Sequence, residues 1–355
     1  AMLDNVKVWN AKTGELVKEL QPQEEADKYK KGARNVAFSP DGKYLAASNW
    51  QGGTARVWET STWQPVALLT VESWEKVEQQ NIVAYSAAFS PDSTYLIITS
   101  DHVSPQVWRV GQWKRKEDVL QGDEKKQAPA SAEQPPAATQ QPSDKPGQTP
   151  AGEVKKEDPK GHTGSVYSVS FSPDGKHVVT GGRVNVAWLW EVGTWKPEFK
   201  LGKHASPVYG AGFSHDSKLL VTASYDRSAR VWDVATGKLL ADLEHLHAVY
   251  DAAFSPVKNE FVTSCWDLKV RMWNQGTDGK WKVSTTLSGH HHWIYGVAYS
   301  PDGNSVVSGS EDKTARVWRT TDPTELPDSV DALLALARAR IKRQLTPEER
   351  KRYIG

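Results

Sequence analysis

An all-β protein, built from one short sheet copied many times, is what this sequence predicts. Two recurring strings carry that prediction. A strand-like run ending in Trp occurs seven times, at residues 6–9, 55–58, 105–108, 187–190, 229–232, 270–273 and 315–318. About twenty residues before each of the last six Trp stands an aromatic strand end and a turn, as in Phe38-Ser39-Pro40-Asp41-Gly42 and Phe171-Ser172-Pro173-Asp174-Gly175. The same mark falls at Phe89, Phe213, Phe254 and Tyr299. A fixed period of this length means one supersecondary unit repeated, and such a unit must stack on its neighbours to bury its faces.

Bulk properties fit that picture. The 355 residues suffice for one large domain or two. A formal net charge of +1 provides no global field toward nucleic acid or membrane. Trp is abundant at 16, and the repeats absorb much of the excess. Cys265 is the single cysteine, which excludes a disulfide framework and points to a reducing, cytoplasmic setting. No apolar run approaches a membrane span, and the first residues do not read as a signal peptide. The chain begins in the middle of a repeat, so an upstream region is expected.

Each full unit reads as four short strands. In the cleanest copy these are 166–171, 177–180, 187–190 and 198–201, with Ser172-Pro173-Asp174-Gly175 as the tight turn. Pro and Gly fall at turns, as strand pairing requires. The strands are β-branched, aromatic and apolar on both faces, which suits sheets packed on each side. Four-stranded antiparallel sheets arranged radially leave only short, protected edges.

On these residues the chain resembles the WD40-repeat β-propeller family. Its blades carry Gly-His before the first strand and Trp-Asp at the end of the third. Gly161-His162, Gly289-His290 and Trp232-Asp233 match outright, while other copies follow the Trp with Glu59, Arg109, Glu191, Asn274 or Arg319. The resemblance covers roughly residues 3–320, less one insertion. The expected fold is a seven-bladed propeller with an incomplete first blade, because residues 6–20 supply only a third and a fourth strand. Six units follow, at about 33–70, 82–120, 161–201, 203–243, 245–287 and 290–320. A six-bladed ring closed by Leu16–Leu20 is the alternative, and it leaves Val6–Trp9 without a place.

Four segments result. Residues 1–120 hold the half blade and two blades, and 161–325 hold four more. Between them, 121–160 is rich in Pro, Gln, Ala and charge and reads as disordered, either a tolerated loop or a partner-binding arm. Residues 326–355 read as a short helical tail, with Thr346-Pro347-Glu348-Glu349 as a capping box. This tail resembles that of bacterial multidomain WD40 signalling proteins. Its basic residues suit either a solvated helix face that caps the propeller or, less directly, nucleic acid.

Candidate chemistry is sparse. In the family a His, a Ser/Thr, an Asp and the third-strand Trp form a structural hydrogen-bond chain. By spacing, the complete sets here are His204, Thr222, Asp226 and Trp232; His245, Thr263, Asp267 and Trp273; and His290, Ser308, Asp312 and Trp318. His162, Thr180 and Trp190 form a partial set, with Val184 where Asp belongs. Tyr29 and Gln80 stand at the His position of two earlier units. Repetition in register, with an indole N–H that needs a buried acceptor, argues against a hydrolase triad. The run His290-His291-His292 lacks a second ligand cluster for zinc, and no G-x-x-x-x-G-K-[ST] phosphate loop occurs. No catalytic residue, cofactor or metal is expected.

What remains is the top surface, where the family commonly meets partners. Counting back four from each first-strand aromatic gives Arg34, Tyr85, Tyr167, Tyr209, Tyr250 and Tyr295. Counting back six adds Trp293, and the position before the turn Asp gives Tyr225, Trp266 and Glu311, with Arg183 by analogy. Aromatics and Arg converging on one face have the composition of a binding hot spot. The expected function is a non-enzymatic scaffold or sensor for a protein or peptide, as the regulatory part of a larger bacterial signalling protein. Alternatives are the ligand-sensing C-terminal domain of a STAND-type ATPase or kinase, or a propeller enzyme with a channel site. No membrane partner is expected, and nucleic acid is disfavoured.

Overall fold

The structure, a computed structural model, describes residues 6–10, 13–20, 33–49, 52–71, 82–101, 105–116, 161–202 and 204–320. These contain twenty-five strands and no helix. Strands β1 (Val6–Trp9) and β2 (Leu16–Leu20) pair as a two-stranded sheet. The first blade is β3 (Ala33–Phe38), β4 (Tyr44–Asn49), β5 (Thr54–Glu59) and β6 (Pro65–Thr70). The second is β7 (Ala84–Phe89), β8 (Tyr95–Ser100), β9 (Gln106–Arg109) and β10 (Lys114–Lys116). The third is β11 (Val166–Phe171), β12 (His177–Gly182), β13 (Ala187–Glu191) and β14 (Pro197–Leu201). The fourth is β15 (Val208–Phe213), β16 (Leu219–Ser224), β17 (Ser228–Asp233) and β18 (Leu239–Glu244). The fifth is β19 (Val249–Phe254), β20 (Glu260–Cys265), β21 (Lys269–Gln275) and β22 (Trp281–Ser288). The sixth has three strands, β23 (Ile294–Tyr299), β24 (Ser305–Ser310) and β25 (Ala315–Arg319).

Every sheet is an antiparallel meander, and inner strands of successive blades lie beside one another. The core is a series of inter-blade layers. One joins Ala46, Val57 and Leu69 of the first blade to Ala87, Phe89 and Ile98 of the second. Another joins Val179 and Leu189 to Phe213 and Trp232. The sheet β1–β2 packs Val6, Val8 and Leu20 against Leu45 and Trp58.

Six blades are found where seven were expected. The two-stranded sheet contains no inner strands, and the ring is incomplete at that place among the described residues. The bared faces show it. Val36 and Phe38 on β3 are 51% and 55% exposed, whereas their counterparts Ala87 and Phe89 are 5% and 7% exposed. At the far side Val317 is 74% exposed, while its counterpart Val231 is fully buried. The insertion 121–160 and the tail 326–355 lie outside the described residues, as do Tyr29 and Gln80.

The turns add links between blades. In each Ser-x-Asp turn the Ser hydroxyl donates to the Asp carboxylate, as from Ser39 to Asp41 at 2.7 Å. The last turn position is left-handed, which Gly42 and Gly175 adopt freely and Ser93 and Ser217 adopt at φ of 58° and 60°. Those two Ser hydroxyls accept from the preceding turns, at Asp41 N and Asp174 N, both at 3.1 Å. Trp113 and Trp195, also at positive φ, wedge edge-on against Tyr44 and Tyr95 of the blade before, with centroids 5.1 and 5.5 Å apart. A bulky residue in that backbone region costs on the order of 1–2 kcal/mol, which the wedge must offset.

The bared face yields a stability test. Phe38→Ala should cost less than about 1 kcal/mol, because its ring is already largely in solvent, while Phe89→Ala should cost about 3–5 kcal/mol. Urea titration of both variants measures this. Equal costs would mean that the β3 face is covered in solution.

Candidate functional site

A one-residue bulge interrupts each inner strand at the same place. The pairing skips between Ala33 and Asn35, Ala84 and Ser86, and Val166 and Ser168. It skips again between Val208 and Gly210, Val249 and Asp251, and Ile294 and Gly296. The extra residues are Arg34, Tyr85, Tyr167, Tyr209, Tyr250 and Tyr295. A bulge re-aims its unpaired side chain, and here all six line one central cavity of about 1110 Å³.

The five tyrosines form a continuous arc. Tyr85 meets Tyr167 edge-on at 4.8 Å, and Tyr167 stacks on Tyr209 at 4.9 Å. Tyr209 stacks on Tyr250 at 4.6 Å, and Tyr250 meets Tyr295 edge-on at 5.0 Å. Arg34 closes the arc from the first blade. Its Cζ lies 4.2 Å from the Tyr85 ring centre, and its Nη2 donates to Tyr250 Oη at 3.2 Å.

A second arc comes from the residue just after each second strand. Asp101, Arg183, Tyr225, Trp266 and Glu311 hold this position, and each donates its backbone N–H to the segment entering its own blade, at 2.8–3.0 Å. Tyr225 meets Trp266 edge-on at 5.3 Å, and Trp266 stacks on Trp293 at 4.2 Å. Tyr225 also lies beside Tyr209, and Trp266 beside Tyr250, so the two arcs are one surface. Tyr295 Oη donates to Glu311 Oε2 at 2.7 Å. Every top-face residue named from the sequence therefore falls on this mouth. Counting overlooked Asp101, although it obeys the same spacing, and Asp251.

Electrostatics keep the phenols neutral. Burial raises the pKa of all five tyrosines, Tyr209 to about 12, and Asp101 adds to the rise at Tyr85 and Tyr167. The Arg34 cation pulls each of them the other way. Arg183 does the same at Tyr167.

Just behind the bulge, Asn35 and Asp251 clasp neighbouring blades. Asn35 Oδ1 accepts from Ala87 N at 3.0 Å, and Asp251 Oδ2 accepts from Val297 N at 3.1 Å. Gly210 makes room for this: a Cβ there would lie 2.8 Å from Asp251 Oδ1.

The hydrogen-bond chains lie inside the blades. In the fourth, Trp232 Nε1 donates to Thr222 Oγ1 at 2.9 Å, and His204 Nε2 is 2.8 Å from the same hydroxyl. Because Thr222 Oγ1 accepts the indole N–H, its own O–H donates to Nε2, so Nδ1 carries the ring hydrogen and donates to Asp226 Oδ2 at 2.9 Å. The sixth blade repeats this with Trp318, Ser308, His290 and Asp312. In the third, His162 and Trp190 share Thr180, and burial lowers the His162 pKa to about 3. The fifth blade departs from expectation. His245 and Trp273 share Thr263, but His245 Nδ1 donates to the Leu243 carbonyl at 3.0 Å. Asp267 instead accepts from both terminal guanidinium nitrogens, Nη1 and Nη2, of Arg271. In the fourth and sixth blades Ser228 and Thr314, two residues after the Asp, hold its second oxygen at 2.6 Å. Lys269 stands there in the fifth and has no hydroxyl to hold it. No group of three or more His, Cys, Asp or Glu is arranged to hold a metal among the described residues.

Radial four-stranded blades with a Trp-anchored hydrogen-bond chain define a WD40 repeat protein. The family model described as "WD domain, G-beta repeat" matches residues 26–59, 154–190, 195–233, 237–274 and 281–319, more than half of the chain, and the chain belongs to that family. It is similar to two fly proteins called "Protein LST8 homolog", from Drosophila pseudoobscura pseudoobscura and Drosophila melanogaster. Each is 28% identical over 111 residues, covering 31% of this chain and 33% of the relative. The match thus spans about a third of the length of these curated relatives. A chain in the solved structure "Crystal Structure of Mitotic Checkpoint Complex" shares the fold, with a TM-score of 0.68, 18% identity, and coverage of 90% of this chain and 82% of that one.

The Asp251 clasp predicts a pH dependence. Burial lifts this carboxyl to about 6, against the N–H groups of Val297 and Ala252, which lower it. At pH 7.5 it is ionised folded and unfolded, and the full burial penalty is present. As pH falls through 6 the folded form gains a proton that the unfolded form does not yet bind. This group alone should therefore stabilise the fold by about 1 kcal/mol at pH 5 relative to pH 7.5. Asp251→Asn should lack that gain, as urea titrations of both proteins at the two pH values would show. A difference between them that does not change with pH would refute it.

Proposed function

We propose that this chain is a non-enzymatic scaffold that binds a protein or peptide across the tyrosine–tryptophan mouth. The observation that carries this is one continuous surface of five tyrosines, Tyr225, Trp266 and Trp293, gathered from five blades. Large, rigid aromatics anchor partners at low entropic cost. Trp293 is 38% exposed at this surface and stacks on Trp266. The His, Ser/Thr and Asp trios, by contrast, are spent on the indoles, which argues against hydrolysis.

The structurally similar chain comes from a complex, the mitotic checkpoint complex, which is consistent with a protein partner. A regulatory place in a larger signalling protein, bacterial in type and cytoplasmic, belongs to the same proposal. It rests on the tail's resemblance and the single cysteine alone.

The test is selection of a displayed peptide library on the immobilised protein. Selected peptides should lose about 2 kcal/mol or more, roughly 30-fold in Kd, on Trp266→Ala or Trp293→Ala. Both variants should keep the far-ultraviolet dichroism of the parent, because neither ring lies in an inter-blade layer. Trp273→Ala should damage folding first. Peptides indifferent to the folded double variant would sink this reading.

A further inference from the structure

Arg34 is the odd member of the bulge series. The other five bulges carry tyrosine, and Arg34 alone carries charge. Its guanidinium reaches over the Tyr85 ring at 4.2 Å and donates to Tyr250 at 3.2 Å, spanning from the first blade to the second and the fifth. Its charge is felt by all five phenols, which places it inside the arc. Ring faces attract a cation, and phenol oxygens accept its hydrogen bonds. Carboxylates stand along the same mouth, Asp101 beside Tyr85 and Glu311 on the Tyr295 hydroxyl.

We propose that the tyrosine arc is a receptor for one arginine side chain of a peptide partner, and that Arg34 is a resident occupant that the partner displaces. This rests on the reading of the mouth as a peptide-binding surface and names the chemistry recognised there. Three features make Arg34 displaceable. It sits at the end of a flexible stem and is only half-buried. It springs from a bulge, outside the paired register of β3. Its strand is also the least covered inner strand on one face, with Val36 and Phe38 in solvent. Arg34 is absent from the apolar layer between the first two blades, and Asn35 holds β3 to the second blade through Ala87 N. An incoming guanidinium would lie over Tyr85 and donate to the Tyr250 hydroxyl. The flanking peptide would then reach the Trp266–Trp293 stack.

The test uses N-acetyl-arginine amide as the probe, with N-acetyl-lysine amide and N-acetyl-alanine amide beside it. Binding is followed by the ring-proton shifts of the tyrosines. Arg34→Ala should bind the arginine probe at least 10-fold more tightly than the parent, and Arg34→Gln should do the same if the shorter side chain perturbs β3. Adding Tyr85→Leu, which removes the ring the guanidinium lies over, to either variant should abolish the gain. The alanine probe should not bind. Equal arginine binding by the parent and both folded variants, or none by any, would overturn the proposal. Preference for the lysine probe would overturn its guanidinium choice. Should these fail while selected peptides still depend on Trp266 and Trp293, the peptide-binding reading stands and only the arginine receptor falls. Should the peptides ignore Trp266 and Trp293 while the probe still binds, the arginine site stands without that wider surface.

Discussion

A blade of this protein has two apolar faces, and only its neighbours can cover them. Val57 and Ile98 are fully buried because the sheets of the first two blades meet there. The same residue types at the open place, Val36 and Val317, are half or more in solvent. Burying a side chain of this size is worth about 1.5–3 kcal/mol. Every inter-blade layer holds several of them, so the stacking of blades, rather than any one sheet, stabilises the fold. Radial stacking also dictates which residues reach the axis. Inner strands converge on one axis, and only their ends and bulges reach the mouth.

Much of this was legible in the chain. The Trp-ended strands, the Ser-x-Asp turns and the six repeated units follow from a period that sequence displays directly. So does the membership of the mouth, because equal spacing from each first-strand aromatic places residues at equivalent points. What spacing cannot convey is the direction of a side chain. Alternation alone would send Tyr85 and its equivalents between blades. The bulge turns them to the axis, and a bulge has no signature in these strings. The wedges are hidden for a similar reason: Trp113 and Trp195 stand between a third and a fourth strand, and their left-handed backbone is what swings them onto Tyr44 and Tyr95.

The fifth blade shows where matching by position fails. Asp267 occupies the tetrad site, yet it belongs to Arg271. The deciding residue is two places on. Ser228 and Thr314 pin the carboxylate toward His204 and His290, whereas Lys269 cannot. In the fourth blade the corresponding Arg230 has Asp242 opposite it on β18, at 3.0 Å, and leaves Asp226 alone. In the fifth the residue opposite Arg271 is Thr286, so its guanidinium takes the nearest carboxylate. The tetrad is thus a competition among local hydrogen-bond partners. Its outcome depends on residues outside the tetrad itself.

Two kinds of contact separate at the same strand. The clasp residues just after the bulge, Asn35 and Asp251, bind backbone of the next blade and serve the ring. The bulge residue makes its contacts with other side chains instead, as Arg34 does with Tyr85 and Tyr250. Arg34 occupies the same bulge as the five tyrosines, in a strand that pairs in the same register. The bulge therefore tolerates a residue that is neither aromatic nor apolar. A fold that accepts arginine there does not require tyrosine at the other five. The rings do pack on one another, Tyr167 on Tyr209 at 4.9 Å and Tyr209 on Tyr250 at 4.6 Å. The clasp at Asn35 and Asp251 is thus what ties neighbouring inner strands together, whatever residue the bulge beside it carries.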